Sequence, residues 1–299
     1  MSDHYSNQEG RVVIVTGANT GLGYETALSL AEHKAKVIMA CRNLLKAETA
    51  KSQILEQVPA ATIECMEIDL SILESVRQFS RAFQSKFDRL DLLINNAGVM
   101  TPPYTQTTDG FELQFGANYL GHFLLTGLLL PLLSKTVNSR VVTLSSLVHR
   151  NGKIDFEDLQ FEKKYNPSEA YAQSKLACLL FSRELQRRIT AGGHSNPISV
   201  AAHPGIAITE LSRHYPKWLW LLIRYTLAPF LTHSASEGAR PTLLAALGDL
   251  GDADYFGPTG FKEFKGHPGP AASTDLSKDE ALARKLWKVS EELVGFKYL

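Results

Sequence analysis

The apolar residues of this chain gather in short, near-continuous runs instead of alternating with polar ones. Residues 11–16 (RVVIVT), 37–41 (VIMAC), 63–68 (IECMEI), 90–95 (LDLLIN), 140–145 (RVVTLS) and 198–202 (ISVAA) are such runs. A strand with one wet face alternates with period two, whereas a strand covered on both faces reads as a continuous apolar block. Between the runs, residues 25–32, 46–57, 111–133 and 168–188 have helical composition, and Ser71 is placed to cap the helix that follows the third run. Six buried strands alternating with helices predict an α/β fold: a doubly wound parallel sheet with right-handed crossovers and helices on both faces. No repeat, low-complexity tract or linker interrupts the 299 residues, so residues 1–299 read as a single domain.

Past the sixth run the pattern loosens. Residues 204–236 form a long excursion, residues 257–277 are rich in Gly and Pro and predict an ordered loop, and residues 278–293 predict a terminal helix. Two apolar stretches bear on membranes. Residues 123–133, interrupted by Pro131, fall far short of the roughly 20 residues of a spanning helix and read as a buried helix. Residues 218–231 carry Arg224 and Pro229 and are also short, which suits an apolar lid or a peripheral membrane contact better than a span.

Lys plus Arg and Asp plus Glu each number 31, and no basic block of the kind that holds phosphate backbones is present, which argues against a nucleic-acid partner. Cys41, Cys65 and Cys178 lack any C-x-x-C spacing, and His122, His149 and His203 lack the spacing of metal ligands, so no metal is expected. Odd, scattered cysteines fit a reducing compartment, and residues 1–10 have neither a basic start nor an apolar stretch; a cytoplasmic location is the expectation.

The chemistry is carried by motifs at the ends of the runs. After the first run stands Thr16-Gly17-Ala18-Asn19-Thr20-Gly21-Leu22-Gly23, a T-G-x-x-x-G-x-G turn between strand and helix. Glycines there permit a tight turn and close approach of a pyrophosphate, and the helix N-terminus offers unpaired N–H groups to the anion. Asn95-Asn96-Ala97-Gly98 follows the fourth run, Ser146 the fifth, and His203-Pro204-Gly205-Ile206-Ala207-Ile208-Thr209 the sixth; Tyr171-Ala172-Gln173-Ser174-Lys175 lies on the helix between the last two. Tyr171 and Lys175, four residues apart on a helix, project into one pocket. In this order, over nearly the whole chain, the motifs resemble those of the short-chain dehydrogenase/reductase family, which implies a Rossmann-like sheet and hydride transfer between a nicotinamide and a carbonyl or alcohol.

The resemblance implies a role for each matching residue. Tyr171 would be the general acid or base, and Lys175 would hold the nicotinamide ribose and favour the phenolate of a side chain whose unperturbed pKa is about 10. Ser146, the second of the pair Ser145-Ser146, would donate to the substrate oxygen, and Asn118, in Asn118-Tyr119-Leu120-Gly121, would support a proton-relay water. Gly17, Asn19, Thr20, Gly21, Leu22 and Gly23, then Asn96, Ala97 and Gly98, and Pro204, Gly205, Ile206 and Thr209 would line the dinucleotide, with Asp69 and Leu70 flanking the adenine. At the end of the second run an acidic residue would select the free ribose 2′-hydroxyl; this chain has Cys41-Arg42-Asn43, and a guanidinium there favours the 2′-phosphate of NADP(H).

Cys41-Arg42-Asn43, Val148-His149, Phe156-Glu157-Asp158-Leu159, Ala170-Tyr171 and Ala283-Arg284-Lys285-Leu286-Trp287 narrow the resemblance to the retinol dehydrogenase-like and WW-domain oxidoreductase-like branch. This implies residues 10–205 as the cofactor-binding core, 206–240 as a substrate lid and 255–299 as a C-terminal loop and helix. It also implies a lipophilic aldehyde, ketone or alcohol substrate. Trp218 and Trp220 would line the substrate pocket or pack the lid on the domain. Leu124, Leu125, Leu128, Leu129 and Leu132 give their helix more apolar surface than one stripe needs, and in this family such helices join two subunits, so a homodimer is expected. Two competing readings are a nucleotide-sugar epimerase, which shares the Y-x-x-x-K helix, and a catalytically idle NADP(H)-binding redox-sensing protein.

Overall fold

The computed structural model describes residues 5–206 and 233–299. In chain order these form β1 (Val12–Thr16), α1 (Gly21–Glu32), β2 (Lys36–Cys41), α2 (Leu44–Gln57), β3 (Thr62–Glu67), α3 (Leu73–Lys86) and β4 (Leu92–Asn95). A π-helical turn (Phe115–Leu120) runs directly into α4 (Gly121–Lys135), followed by β5 (Arg140–Leu144), α5 (Pro167–Ala191), β6 (Ile198–Ala202), α6 (Ala235–Leu247), β7 (Tyr255–Pro258), β8 (Pro268–Pro270) and α7 (Glu280–Val294).

One eight-stranded sheet has the order β3-β2-β1-β4-β5-β6-β7-β8, parallel from β3 to β7, with β8 antiparallel at the edge. Successive side chains of a strand enter opposite cores, which explains the unbroken apolar runs. Val12 and Ile14 join Phe79, Phe123, Phe181 and Trp287 under α3, α4, α5 and α7. Val13 and Val15 join Leu30, Ile54 and Leu243 under α1, α2 and α6. Strand order reverses between β1 and β4, and the crevice at their carboxyl ends is where such sheets bind ligands.

The structure corrects several expectations. The sheet has eight strands instead of six, because β7 and β8 lie partly within residues read as a loop. They pair over two or three residues only, and as short edge strands they tolerate the Gly and Pro that disguise them. Residues 235–240, assigned to a lid, begin α6, which packs against α1. Its signal was legible: Ser234 accepts from the Glu237 amide and the Glu237 side chain reaches back to Ser234, a capping box. Ser71 does not cap α3; its hydroxyl donates to Asp69 at 2.6 Å, and the Leu73 amide is met by Asp109 at 2.9 Å. The apolar stretch 123–133 is part of a longer helical segment, Phe115–Lys135, whose 21 residues are enough by length and composition to cross a membrane, yet its most apolar part is 83% buried within the fold. Thr209, Trp218, Trp220 and the whole of residues 218–231 lie outside the described residues.

Much of the apolar surface of α4 packs within the chain, while Leu128 and Leu132 stay half-buried. Leu124, Leu125 and Leu129 are fully buried. Trp287 of α7 sits 4.9 Å from Phe123 and 5.8 Å from Phe181 between ring centroids, Tyr119 hydroxyl meets Ser290 at 2.7 Å, and Tyr298 donates to the Phe123 carbonyl at 3.0 Å. The C-terminal helix thus packs on α4 and α5. Replacing Trp287 with Ala removes a fully buried indole and should cost about 3–5 kcal/mol of stability. Urea denaturation measures this, and a loss below about 1 kcal/mol would show that α7 contributes little to the core.

Candidate active site

The turn after β1 is built for close approach. Gly17 and Gly21 adopt φ of +65° and +56°, in the left-handed region, and a side chain on Gly23 would collide with the Gly17 carbonyl and the Asn96 amide. Helix α1 starts at Gly21 with no side chain capping it and no acidic residue in its first turn, so its first N–H groups remain available to an anion.

Beneath the turn lies the fully buried hydroxyl of Thr16. It accepts from the amides of Asn96 and Ala97, both at 2.9 Å, and lies 2.9 Å from His122 Nε2. The Asn118 carbonyl, 2.9 Å from Nδ1, can only accept, so His122 carries its proton on Nδ1 and its Nε2 accepts the Thr16 hydroxyl proton, for which the Ile94 carbonyl at 3.3 Å is the longer alternative. Burial pushes the His122 imidazole down to about 4, so the ring is neutral and this tautomer persists at neutral pH.

A cleft of about 340 Å³ opens over this turn. It gathers Gly17, Asn19, Thr20, Gly21, Leu22, Gly23, Arg42, Asp69, Leu70, Asn96, Ala97 and Gly98, all expected from the motifs. Lys46 and Asn43, which the motif reading missed, share the end of the cleft where Arg42 stands. Asn43 caps α2 by accepting from the Lys46 amide at 2.9 Å, so that Lys46 lies one helical turn beyond Arg42; the spacing R-x-x-x-K was the available signal. Val99, Met100, Leu113 and Ala117 add an apolar wall that no motif marked. Cys41, preceding Arg42, is packed under the glycine turn, and burial pushes its thiol up to about 11. It is a packing residue.

Ser146 follows β5, and Tyr171 and Lys175 lie one turn apart on α5; none of the three lines the cleft, but Lys175 stands beside Gly98 at its wall. Lys175 is buried, which lowers its pKa, and its ammonium donates to the Leu144 carbonyl at 3.0 Å while lying 5.9 Å from the centre of the Tyr171 ring. A side chain on Gly98 would begin 3.6 Å from that ammonium. Asn118 sits in the π turn, and its amide is committed: it accepts from Val99 N at 2.7 Å and donates to Val99 O and Ser174 Oγ, both at 3.0 Å. The amide therefore pins the Gly98-Val99 backbone, and the main-chain carbonyl of Asn118 faces His122 and Cys178. The two serines separate clearly. Ser145 is buried with its hydroxyl donating to the Lys175 carbonyl at 2.8 Å, whereas Ser146 is half-buried and its hydroxyl only accepts a long 3.4 Å contact from Val148. Pro204, Gly205 and Ile206 follow β6, half-buried, and are not among the walls of the cleft.

With this geometry in hand, comparison with known proteins gives a consistent picture. Residues 11–220 match the family model of the short chain dehydrogenases. Mouse retinol dehydrogenase 12 is 43% identical over 97% of this chain and 88% of its own length. Human retinol dehydrogenase 13 is 45% identical over 96% of this chain and 85% of its own length. A crystal structure of a protein from Mycobacterium paratuberculosis superposes with a TM-score of 0.81 at 42% identity, covering 99% of this chain and 97% of the other. The Pseudomonas aeruginosa RhlG/NADP active-site complex aligns with a TM-score of 0.56 at 25% identity, over 72% and 79% of the two chains.

The two serines should respond differently to substitution. Ser145→Ala removes a buried hydrogen bond to the Lys175 carbonyl, which keeps its helical partner, and should destabilise the fold by about 1–1.5 kcal/mol, whereas Ser146→Ala should stay within about 0.5 kcal/mol of the unmodified protein. Thermal unfolding of the pair measures it, and equal shifts would remove the distinction.

Proposed function

The chain belongs to the short-chain dehydrogenase family, and from that premise we propose that it is an NADP(H)-dependent reductase or dehydrogenase of lipophilic aldehydes, ketones or alcohols. The observation that carries this reading is a cleft lined by open helix amides and two cations, whose wall at Gly98 lies beside the Lys175 ammonium and, through it, Tyr171 on α5. The residues present fit the dinucleotide. The glycine turn and the uncapped amides of α1 would hold the pyrophosphate, Asp69 and Leu70 would flank the adenine, and Arg42 with Lys46 would hold the 2′-phosphate by charge-assisted hydrogen bonds. When bound, the nicotinamide supplies or accepts the hydride.

The chain's own groups do the rest. Ser146, half-buried with its hydroxyl oxygen accepting from the Val148 amide, donates to the substrate oxygen. Tyr171 moves the proton at that oxygen, and the Lys175 cation stabilises charge developing on the phenol. Lys175 would also hold the nicotinamide ribose. Asn118 keeps Gly98 and Val99 against the site, and through its carbonyl and His122 it is tied to Thr16 under the glycine turn. The names of the relatives, retinol dehydrogenases at 43–45% identity, support a hydrophobic alcohol or aldehyde as substrate, and the RhlG/NADP complex supports the phosphorylated cofactor.

Fluorescence titration should show NADPH binding more tightly than NADH. Arg42→Ala and Lys46→Ala should each weaken NADPH about tenfold or more, the loss of one charge-assisted contact, and leave NADH within about twofold. Equal affinities for the two cofactors in the unmodified protein would overturn the NADP(H) assignment. Tyr171→Phe should abolish turnover of a panel of aldehydes and alcohols of rising chain length while cofactor titration stays unchanged. Retained turnover would remove Tyr171 from the mechanism.

A further inference from the structure

Three stretches of chain meet behind Ser146. The first is the 3-10 turn Leu147–Asn151, which Ser146 itself caps. Its two successive side chains reach toward the C-terminal hairpin. His149 Nδ1 lies 2.7 Å from the Ser146 carbonyl, with its ring edge-on to Tyr255, and Arg150 reaches Glu263 Oε2 at 2.7 Å. The second stretch is the loop after β6. His203 is fully buried there; its Nδ1 accepts from the Gly205 amide at 3.2 Å, which leaves the ring proton on Nε2, and Nε2 lies 3.2 Å from the same Glu263 oxygen, an electrostatic contact without hydrogen-bond alignment. The third is the turn at residues 260–266, whose Phe264 carbonyl accepts from the Ile206 amide at 2.8 Å.

Glu263 is the point shared by all three. Its second oxygen accepts from the Ala272 amide at 2.9 Å, and Arg150 closes the ring by donating to the Ala272 carbonyl at 3.2 Å. The surroundings have been shaped around this carboxylate. Lys262 and Glu263 take φ of +49° and +60°, which non-glycine residues adopt only where neighbouring contacts hold them. A side chain on Gly257 would strike the His203 ring, and one on Gly205 would strike the Phe264 carbonyl.

We propose that Glu263 is a positioning residue for Ser146: by holding Arg150 and His203 at one carboxylate, it fixes the turn that begins at Ser146 against the loop that follows β6. This rests on the reading of Ser146 as donor to the substrate oxygen. Glu263 touches neither the cleft nor the reacting atoms, and it acts through the direction in which the Ser146 turn leaves β5.

The test is a double-mutant cycle on the full chain, read in single turnovers at high enzyme concentration. Glu263→Ala should lower the reductive rate about tenfold while NADPH affinity stays within about twofold, and in a Ser146→Ala background the same change should alter the rate by less than about twofold. Glu263→Gln, which keeps an acceptor for Ala272 but loses the charge, should fall between. Equal factors in the two backgrounds would show a merely structural role and overturn the proposal. Hydrogen–deuterium exchange gives an arm independent of activity: segments 146–152 and 203–206 should both exchange faster in Glu263→Ala, and unchanged exchange in either would also overturn it. Absence of turnover in the unmodified protein would instead defeat the oxidoreductase reading, and the clamp would then stand or fall on the exchange result.

Discussion

One buried hydroxyl holds the site together. Thr16 ends β1, and its oxygen accepts two amides from the turn after β4 while its proton goes to His122 at the start of α4. The strands β1 and β4 are paired, but the strand order reverses between them and the chain segments that follow them leave to opposite faces of the sheet, which opens a crevice at this point. A hydroxyl is the smallest group that can accept twice and donate once, and all three valences are used. The glycine turn above can approach Asn96 closely only because this hydroxyl has already brought the Asn96 backbone in.

From that point a continuous polar path runs through otherwise apolar packing: Thr16, His122, the Asn118 carbonyl, and through the Asn118 amide the Gly98-Val99 backbone and Ser174. Buried polar groups are costly unless satisfied, and each member here has a partner, so the path acts as a rigid frame. The π turn at Phe115–Leu120 belongs to it. Gly121 N bonds five residues back to Gly116 O, which widens the helix by one residue where Asn118 must face both Val99 and Cys178. Lys175 and Ser145 extend the frame on the α5 side, the first bonding to Leu144 and the second to the Lys175 backbone.

The C-terminal third of the chain serves this arrangement from outside. Helix α7 seals the apolar face of α4 and α5 with Trp287, while the β7–β8 hairpin braces the loops after β5 and β6 through Tyr255, Glu263 and Phe264. Groups distant in sequence thus converge behind Ser146 without entering the cleft.

Much of this was legible in the chain itself. Strands covered on both faces must be apolar throughout, and a tight strand-to-helix turn needs glycines at fixed offsets, so strands β1 to β6, the α/β class and the glycine turn follow from residue order alone. Tyr171 and Lys175 were legible for a similar reason, since a four-residue helical offset is itself a statement about distance. The short edge strands β7 and β8 were not, because two or three paired residues leave no period to read. The burial of α4 by α7, the task of the Asn118 amide, the separation of Ser145 from Ser146 and the convergence on Glu263 depended on contacts between residues tens to well over a hundred positions apart. No local pattern encodes such contacts: a fully buried Leu and a half-buried Leu look alike in sequence, as do the serines at 145 and 146, and only the packed structure decides which neighbour each one meets.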